Sequence, residues 1–220
     1  MTEIIPAIMP KQFNDIKEAL ADVEGLVRAV QIDVMDGEFV PSKSWPFIHG
    51  DAIQELPQNT DIFYEIDLMV EHPEVLAGDF IEAGAQRIIL HIESLQEPQG
   101  QIAAIKEKGA REVVVALNTD TPNETLEDVL EYADGVQFMG IARIGYQGQQ
   151  FDERVIDKIT SFKEMHPDVT ISVDGGVSIR TAPLLIEAGA SRLAVGSALW
   201  QSENIKEALA TLQSLYYGTH

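Results

Sequence analysis

The feature that most constrains this chain is a regular alternation of two kinds of segment. Eight short runs, rich in Val and Ile, are apolar on both faces, and each is followed by a longer segment with apolar residues at helical spacing. The runs comprise residues 4–9, 30–34, 62–69, 87–92, 112–117, 135–139, 170–173 and 192–195. The helix candidates comprise residues 12–21, 47–56, 73–83, 101–108, 123–132, 151–165, 178–187 and 204–215. This alternation predicts an α/β fold whose parallel sheet is covered on all sides.

The number of units and the chain length favour closure of that sheet. Eight strand–helix units in 220 residues fit a (β/α)8 TIM barrel in which residues 1–220 form one domain. An open doubly wound sheet is the alternative. It is less well supported because no G-x-G-x-x-G motif follows an early strand.

The charge of the chain narrows the class of partner. With 36 acidic against 15 basic residues the formal net charge is −21, while 45% of the residues are hydrophobic, so a folded chain is expected. The negative electrostatic field of so acidic a protein repels nucleic acid and anionic membrane surfaces. An anionic ligand must therefore be held by hydrogen-bond donors close to it. The chain has no cysteine, its start lacks a signal-peptide pattern, and no apolar run approaches about 18 residues. We therefore expect a cytoplasmic protein.

Acidic residues stand at the ends of three predicted strands. Asp33 and Asp67 lie near the ends of the second and third strands, and Asp174 directly follows the seventh. The C-terminal ends of barrel strands form the mouth in which active sites lie, so we expect these carboxylates to face one another. Carboxylates at such distances change each other's proton affinity, so we expect Asp33 and Asp174 to be functional rather than surface residues. Asp36 is interpreted as a residue that caps a loop.

Glycines follow the last two predicted strands. The motif DGGV contains Gly175 and Gly176, and the motif GSA contains Gly196 and Ser197. Bare backbone lets amide N–H groups approach an anion closely, and TIM barrels often bind phosphate after these two strands. The sequence therefore predicts a phosphate site that needs no basic protein surface.

These motifs resemble those of the ribulose-phosphate 3-epimerase family. The resemblance covers nearly the whole chain, through QIDVMDGEFVP, IDLMVEHP, LHIES, VVALNTDTP, ISVDGGV and EAGASRLAVGSALW, in the family's order and spacing. It implies a TIM barrel of the ribulose-phosphate-binding type. It also implies that Asp33 and Asp174 work on opposite faces of the third carbon of a ketose phosphate, with a divalent metal stabilising the enediolate. The further residues implied for the phosphate site and the substrate pocket are Gly148, Met35, Met69 and Met139.

The chain departs from the family at the metal site. Two metal-binding histidines of the family are replaced by Gln31 and Asp67. A site of Gln31, Asp33, Asp67 and Asp174 would offer oxygen ligands alone, which favours a hard cation such as magnesium or manganese over zinc or iron. If no cation binds, the converging carboxylates would retain a proton, or Gln31 would hydrogen-bond Asp67 and close the site.

Three further features leave alternatives open. Arg143, in the loop after the sixth strand, is either a clamp in the substrate pocket or a solvated loop residue. His91 is interpreted as a packed strand histidine rather than a ligand or base. The resemblance implies a homo-oligomer, in which Tyr216 and Tyr217 would either contact a partner or pack back on the barrel.

The leading functional hypothesis is an isomerase of pentose phosphate metabolism. It would interconvert D-ribulose 5-phosphate and D-xylulose 5-phosphate through a two-aspartate proton transfer. Two alternatives stay open. One is a related sugar-phosphate lyase, decarboxylase or hexulose-phosphate epimerase, and the other is a non-catalytic relative that binds a sugar phosphate.

Overall fold

Eight parallel strands form one closed barrel in the computed structural model, which describes residues 2–58, 61–146 and 148–215. Each strand pairs with the next along the chain, and the last pairs with the first. The strands are β1 (Glu3–Ile8), β2 (Ala29–Met35), β3 (Phe63–Met69), β4 (Arg87–His91), β5 (Glu112–Leu117), β6 (Gly135–Met139), β7 (Ile171–Asp174) and β8 (Arg192–Val195). The predicted TIM barrel is confirmed, and the open doubly wound alternative is wrong.

Helices surround the barrel, and six of the eight predicted ones are present with shifted ends. The helices are α1 (Phe13–Val23), α2 (Pro73–Glu82), α3 (Pro98–Glu107), α4 (Arg154–Met165), α5 (Ala182–Ala188), α6 (Ser197–Trp200) and α7 (Ile205–Ser214). The short α6 was not predicted. The candidate at 123–132 is reduced to a 3₁₀ turn at Asn123–Leu126 followed by turns.

The helix predicted for residues 47–56 is wrong. The segment begins with local turns and then runs without regular structure. At its end the N–H of Leu56 donates to the carbonyl of Ala83, at the end of α2, at 2.8 Å. Phe47 and Ile53 pack against the core from this irregular path. The apolar spacing therefore reflects tertiary contacts, which override a helical pattern.

Strand register divides the side chains between two environments. Val30, Ile32 and Val34 of β2 belong to the large core between the barrel and its helices. Because side chains alternate along a strand, Gln31 and Asp33 point into the barrel. The inner face of β2 therefore carries polar residues, although its outer face is apolar.

An ion-pair cluster fills the N-terminal end of the barrel. Arg87 pairs with Glu65 and donates from Nε to Glu112 at 2.9 Å, and Arg192 lies 3.0 Å from the same Glu112 oxygen. Burial raises the pKa of Glu65, against the opposing charge of Arg87. Charged side chains thus occupy the interior at this end, whereas the aspartates at the ends of β2, β3 and β7 lie toward the other end.

Two remaining expectations concern the chain ends and membranes. No helix in the described ranges is long and apolar enough to cross a membrane. Tyr216 and Tyr217 lie outside the described residues.

Candidate active site

Three aspartates meet at the C-terminal mouth of the barrel. Asp33 and Asp67 are register partners in β2 and β3, and Asp174 is the last residue of β7. One carboxylate oxygen of each lies within 4.8 Å of those of the other two. Asp33 and Asp67 are 4% and 0% exposed. The predicted convergence of the three side chains is therefore observed.

Gln31 links two of these carboxylates. Its Nε2 donates to Oδ1 of Asp33 and to Oδ2 of Asp174, each at 2.9 Å. The expectation that Gln31 would hydrogen-bond Asp67 and close the site is wrong. Its own oxygen, Oε1, is buried and has no hydrogen-bond partner among the described residues.

Asp67 has a separate pair of partners. Its Oδ1 lies 2.9 Å from Nε2 of His91, and its Oδ2 accepts from Nε2 of Gln137 at 2.9 Å. His91 is fully buried, so it is a packed strand histidine whose ring orients Asp67. Sequence reasoning missed Gln137, although its polar side chain within the apolar run of β6 is a signal that could have found it.

The electrostatics of the site favour protonated carboxyl groups. Burial raises the pKa of Asp33 well above its usual value, and the charges of Asp174 and Asp67 raise it further. Burial and the charge of Asp67 likewise raise the pKa of Asp174 to about 7, although the Gln31 amide and the N–H of Gly175 oppose this. Burial lowers the pKa of His91, but the neighbouring Asp67 more than compensates and the net direction is upward. The pair of Asp33 and Asp174 can therefore hold a shared proton near neutral pH.

A cavity opens directly above the aspartates. Nine of its lining residues were predicted from the sequence, namely Asp33, Met69, Met139, Gly148, Asp174, Gly175, Gly176, Gly196 and Ser197. Ile141, Tyr146 and Gln149, from the loop after β6, also line it and were missed. No sequence pattern indicates which side chains of that loop face inward.

Two predicted pocket residues lie elsewhere. Met35 is fully buried and packs in one cluster with Met69 and Met139, but unlike them it is not among the described residues that line the cavity. Arg143 is exposed and is not among the described residues that line the cavity, which agrees with the alternative of a solvated loop residue rather than a clamp in the pocket. Its backbone carbonyl accepts from Nε2 of Gln149 at 2.5 Å.

The glycines after β7 form a cradle that has no room for side chains. Gly175 and Gly176 have φ values of +90° and +69°. A Cβ atom on Gly175 would lie 2.8 Å from Ile141, and one on Gly176 would lie 2.9 Å from Phe151. This bare backbone lies at the same cavity as Gly196 and Ser197, an arrangement that suits a phosphate group.

Asp36 has a structural role in the loop after β2. Its Oδ1 accepts from the N–H groups of Glu38 and Phe39 at 2.8 and 3.0 Å, and its Oδ2 accepts from the N–H of Glu71 at 2.7 Å. The interpretation of Asp36 as a loop-capping residue agrees with these bonds.

The donor set at the mouth fits a hard divalent cation. The three converging aspartates supply only oxygen, and each carboxylate oxygen has lone pairs beyond those used by the amide and imidazole donors. Gln31 presents nitrogen to Asp33 and Asp174. Its amide would have to turn over before Oε1 could act as a ligand.

Comparisons with known proteins agree with this geometry. The chain matches the family model described as "Ribulose-phosphate 3 epimerase family" over residues 3–200. It is 35% identical over 219 residues to the ribulose-phosphate 3-epimerase of Bacillus subtilis (strain 168), across 97% of this chain and 99% of that protein. It is 31% identical over 220 residues to the protein of the same name from Aquifex aeolicus (strain VF5), across 98% and 97% of the two chains.

Solved structures share the fold. A structure of KGPDC from Streptococcus mutans superimposes with a TM-score of 0.75 at 14% identity, across 98% of this chain and 97% of that one. Orotidine 5'-phosphate decarboxylase from Pyrococcus horikoshii OT3 gives a TM-score of 0.70 at 20% identity, across 98% and 100%. Identities this low show a common fold and nothing more specific.

Proposed function

The chain belongs to the ribulose-phosphate 3-epimerase family, and from that premise we propose that it interconverts D-ribulose 5-phosphate and D-xylulose 5-phosphate. Its homologues of that name support an epimerase function. The observation that carries the proposal is the pair Asp33 and Asp174, whose carboxylates line one cavity beside the glycine cradle.

The proposed chemistry is proton transfer at the carbon next to the carbonyl. The ionised member of the Asp33 and Asp174 pair removes the proton from the third carbon on one face. The protonated member then donates its proton to the opposite face of that carbon, which inverts the centre. The reaction needs one ionised and one protonated carboxyl group, and the raised pKa of both residues supports that state near neutral pH.

Asp33, Asp67 and Asp174 would hold a hard divalent cation. When bound, such a cation supplies positive charge beside the oxygen that becomes negative in the enediolate. His91 and Gln137 fix the orientation of Asp67 through one hydrogen bond to each of its oxygens. This arrangement aims Asp67 toward the other two carboxylates.

The rest of the cavity suits a sugar phosphate. The backbone at Gly148, Gly175, Gly176 and Gly196, together with Ser197, would bind the phosphate group and set the sugar's position above the aspartates. Met69 and Met139 supply apolar walls, and they would exclude water from the reacting carbon.

A direct assay tests the proposal. Purified protein is incubated with D-ribulose 5-phosphate in magnesium, manganese, cobalt or zinc, and D-xylulose 5-phosphate is measured, with Asp174→Asn as the inactive control. Turnover in at least one metal that is lost in Asp174→Asn supports the function. Absence of turnover in every metal contradicts it.

The replacement of two family histidines by Gln31 and Asp67 favours a second candidate. This is a sugar-phosphate lyase, decarboxylase or hexulose-phosphate epimerase with altered metal chemistry. Solvent deuterium exchange into a panel of sugar phosphates distinguishes the cases. An epimerase only labels the carbon of the sugar phosphate that it accepts, whereas a lyase or decarboxylase also releases a fragment. Binding of a sugar phosphate with neither label nor turnover would identify a non-catalytic relative.

Two expectations about the whole protein stay predictions. Light scattering during size-exclusion chromatography would test for a homo-oligomer. Cell fractionation would test for a cytoplasmic location.

A further inference from the structure

We propose that Gln31 is the positioning residue of the proton-transfer pair, an inference that rests on the function proposed above. In this role one neutral amide holds Asp33 and Asp174 at a fixed separation from below the cavity. The position at which the family binds metal has thereby become a clamp for the two reacting carboxyl groups.

Gln31 lies where its amide reaches the two aspartates but does not line the cavity. Gln31 is fully buried on the inner face of β2, where it pairs in register with Ala7 of β1 and Glu65 of β3. It is not among the described residues that line the cavity, whereas Asp33 and Asp174 are. Gln31 can therefore act on the substrate only through those two carboxyl groups.

A single atom of Gln31, Nε2, donates both hydrogen bonds. Nε2 of Gln31 carries two hydrogens, and the structure aims that nitrogen at Asp33 and Asp174 with equal distances of 2.9 Å. A ring nitrogen of histidine carries at most one hydrogen, so histidine could bridge two carboxylates only through both of its nitrogens and as a charged imidazolium. Glutamine thus permits a neutral bridge from a single atom.

The bridge from Gln31 is specific to Asp33 and Asp174. Asp67, although it lies within 4.8 Å of the others, takes its donors from Gln137 and His91. Two buried amides in one barrel therefore serve different carboxylates. Because an amide is neutral, Gln31 orients the pair without fixing which member holds the proton.

Kinetic measurements test the positioning role through one variant, Gln31→Met, which keeps about the size of the side chain. Gln31→Met removes both hydrogens, and we expect kcat for D-ribulose 5-phosphate to fall about 100-fold, the effect of a misplacement near 1 Å. We expect KM to stay within about twofold, because Gln31 does not line the cavity. Saturating magnesium should not restore kcat. Ile159→Ala, which creates a cavity in the outer core, serves as a control that loses stability but keeps kcat.

Three kinetic results would overturn the proposal. One is a kcat of Gln31→Met within about threefold of the wild-type value, and a second is a loss confined to KM. The third is recovery of kcat at high magnesium, which would make Gln31 a metal ligand. If the wild-type protein itself shows no turnover in any metal, the proposed function fails and the clamp is judged by a second measurement.

That measurement follows the side-chain amide of Gln31 by NMR in protein labelled with ¹⁵N-glutamine. Both Nε2 hydrogens should exchange slowly with water, and exchange should accelerate at least about tenfold in Asp33→Ala and in Asp174→Ala. Asp67→Ala is the matched control, in which the Gln31 amide should keep its protection. Amide exchange that is unchanged in both Asp33→Ala and Asp174→Ala would refute the clamp whether or not the protein is an enzyme.

Discussion

Replacing Asp174 by asparagine should stabilise the protein, and the gain should depend on pH. The pKa of Asp174 is raised from 3.8 to about 7 by burial and by the charge of Asp67. The folded state therefore binds this proton more tightly than the unfolded chain does, so stability falls as pH rises from about 4 to about 7 and then levels off. At about 1.36 kcal/mol per pKa unit the loss is roughly 4 kcal/mol. Asparagine has the same shape but cannot ionise, so this loss is absent in the variant.

Urea unfolding with EDTA present, at pH 5 and pH 8, measures this effect. At pH 5 Asp174→Asn should be more stable by only about 1.5 kcal/mol, because Asp174 is still protonated in the folded wild-type protein but has already ionised in the unfolded chain, where its pKa is 3.8. At pH 8 the variant should be more stable by about 4 kcal/mol. The exposed Asp22 provides the control Asp22→Asn, which should change stability by less than about 0.5 kcal/mol. An equal difference at both pH values, or a less stable variant at pH 8, would refute the electrostatic account.

Four further predictions concern activity. Asp33→Asn should lower kcat by about 10²–10⁴-fold, the usual contribution of a general acid or base, and residual activity above about a tenth of wild type in a coupled assay would contradict its role. Gly176→Ala should raise KM and weaken inhibition by inorganic phosphate about tenfold or more, because its Cβ would meet Phe151 at 2.9 Å. The double variant Gln31→His and Asp67→His should shift the preferred activator from magnesium toward zinc or iron, measured as a ratio of kcat values. Arg143→Ala should leave KM within about twofold, and a larger rise would show that the arginine reaches the substrate.

The sequence determines some parts of the site strongly. The β-branched runs specify eight strands, and the barrel rule then places Asp33, Asp67 and Asp174 at one mouth because all three end or nearly end a strand. The glycines of DGGV are similarly constrained, since their backbone conformations and close contacts exclude side chains. For these three aspartates the strand register alone fixes the position, and prediction and structure agree.

Other parts depend on contacts that no local pattern encodes. The choice of Gln31 between Asp33 and Asp67 is decided by side-chain conformations across the barrel, and the alternative in which Gln31 bonds Asp67 is wrong. The segment 47–56 has helical apolar spacing, yet its backbone bonds to the end of α2. Arg143 illustrates a third case, because the conformation of a loop decides whether its side chain points inward or outward.

The distribution of charge along the barrel axis explains how three acidic groups can share a buried mouth in which the pKa values of Asp33 and Asp174 are raised. The interior arginines, Arg87 and Arg192, pair with glutamates at the opposite end. Ile89 lies between Arg87 and His91 along β4, and it packs in an apolar cluster with two residues of β5. This cluster separates the arginines from the aspartates, so the arginines neutralise the glutamates and not the carboxyl groups at the mouth.

The side-chain donors that reach the three aspartates from the described residues are two amides and an imidazole, which orient carboxyl groups without fully neutralising them. An arginine at the position of Ile89 would be expected to lower the pKa of both Asp33 and Asp174, and with it the capacity of the pair to hold the proton that inversion requires.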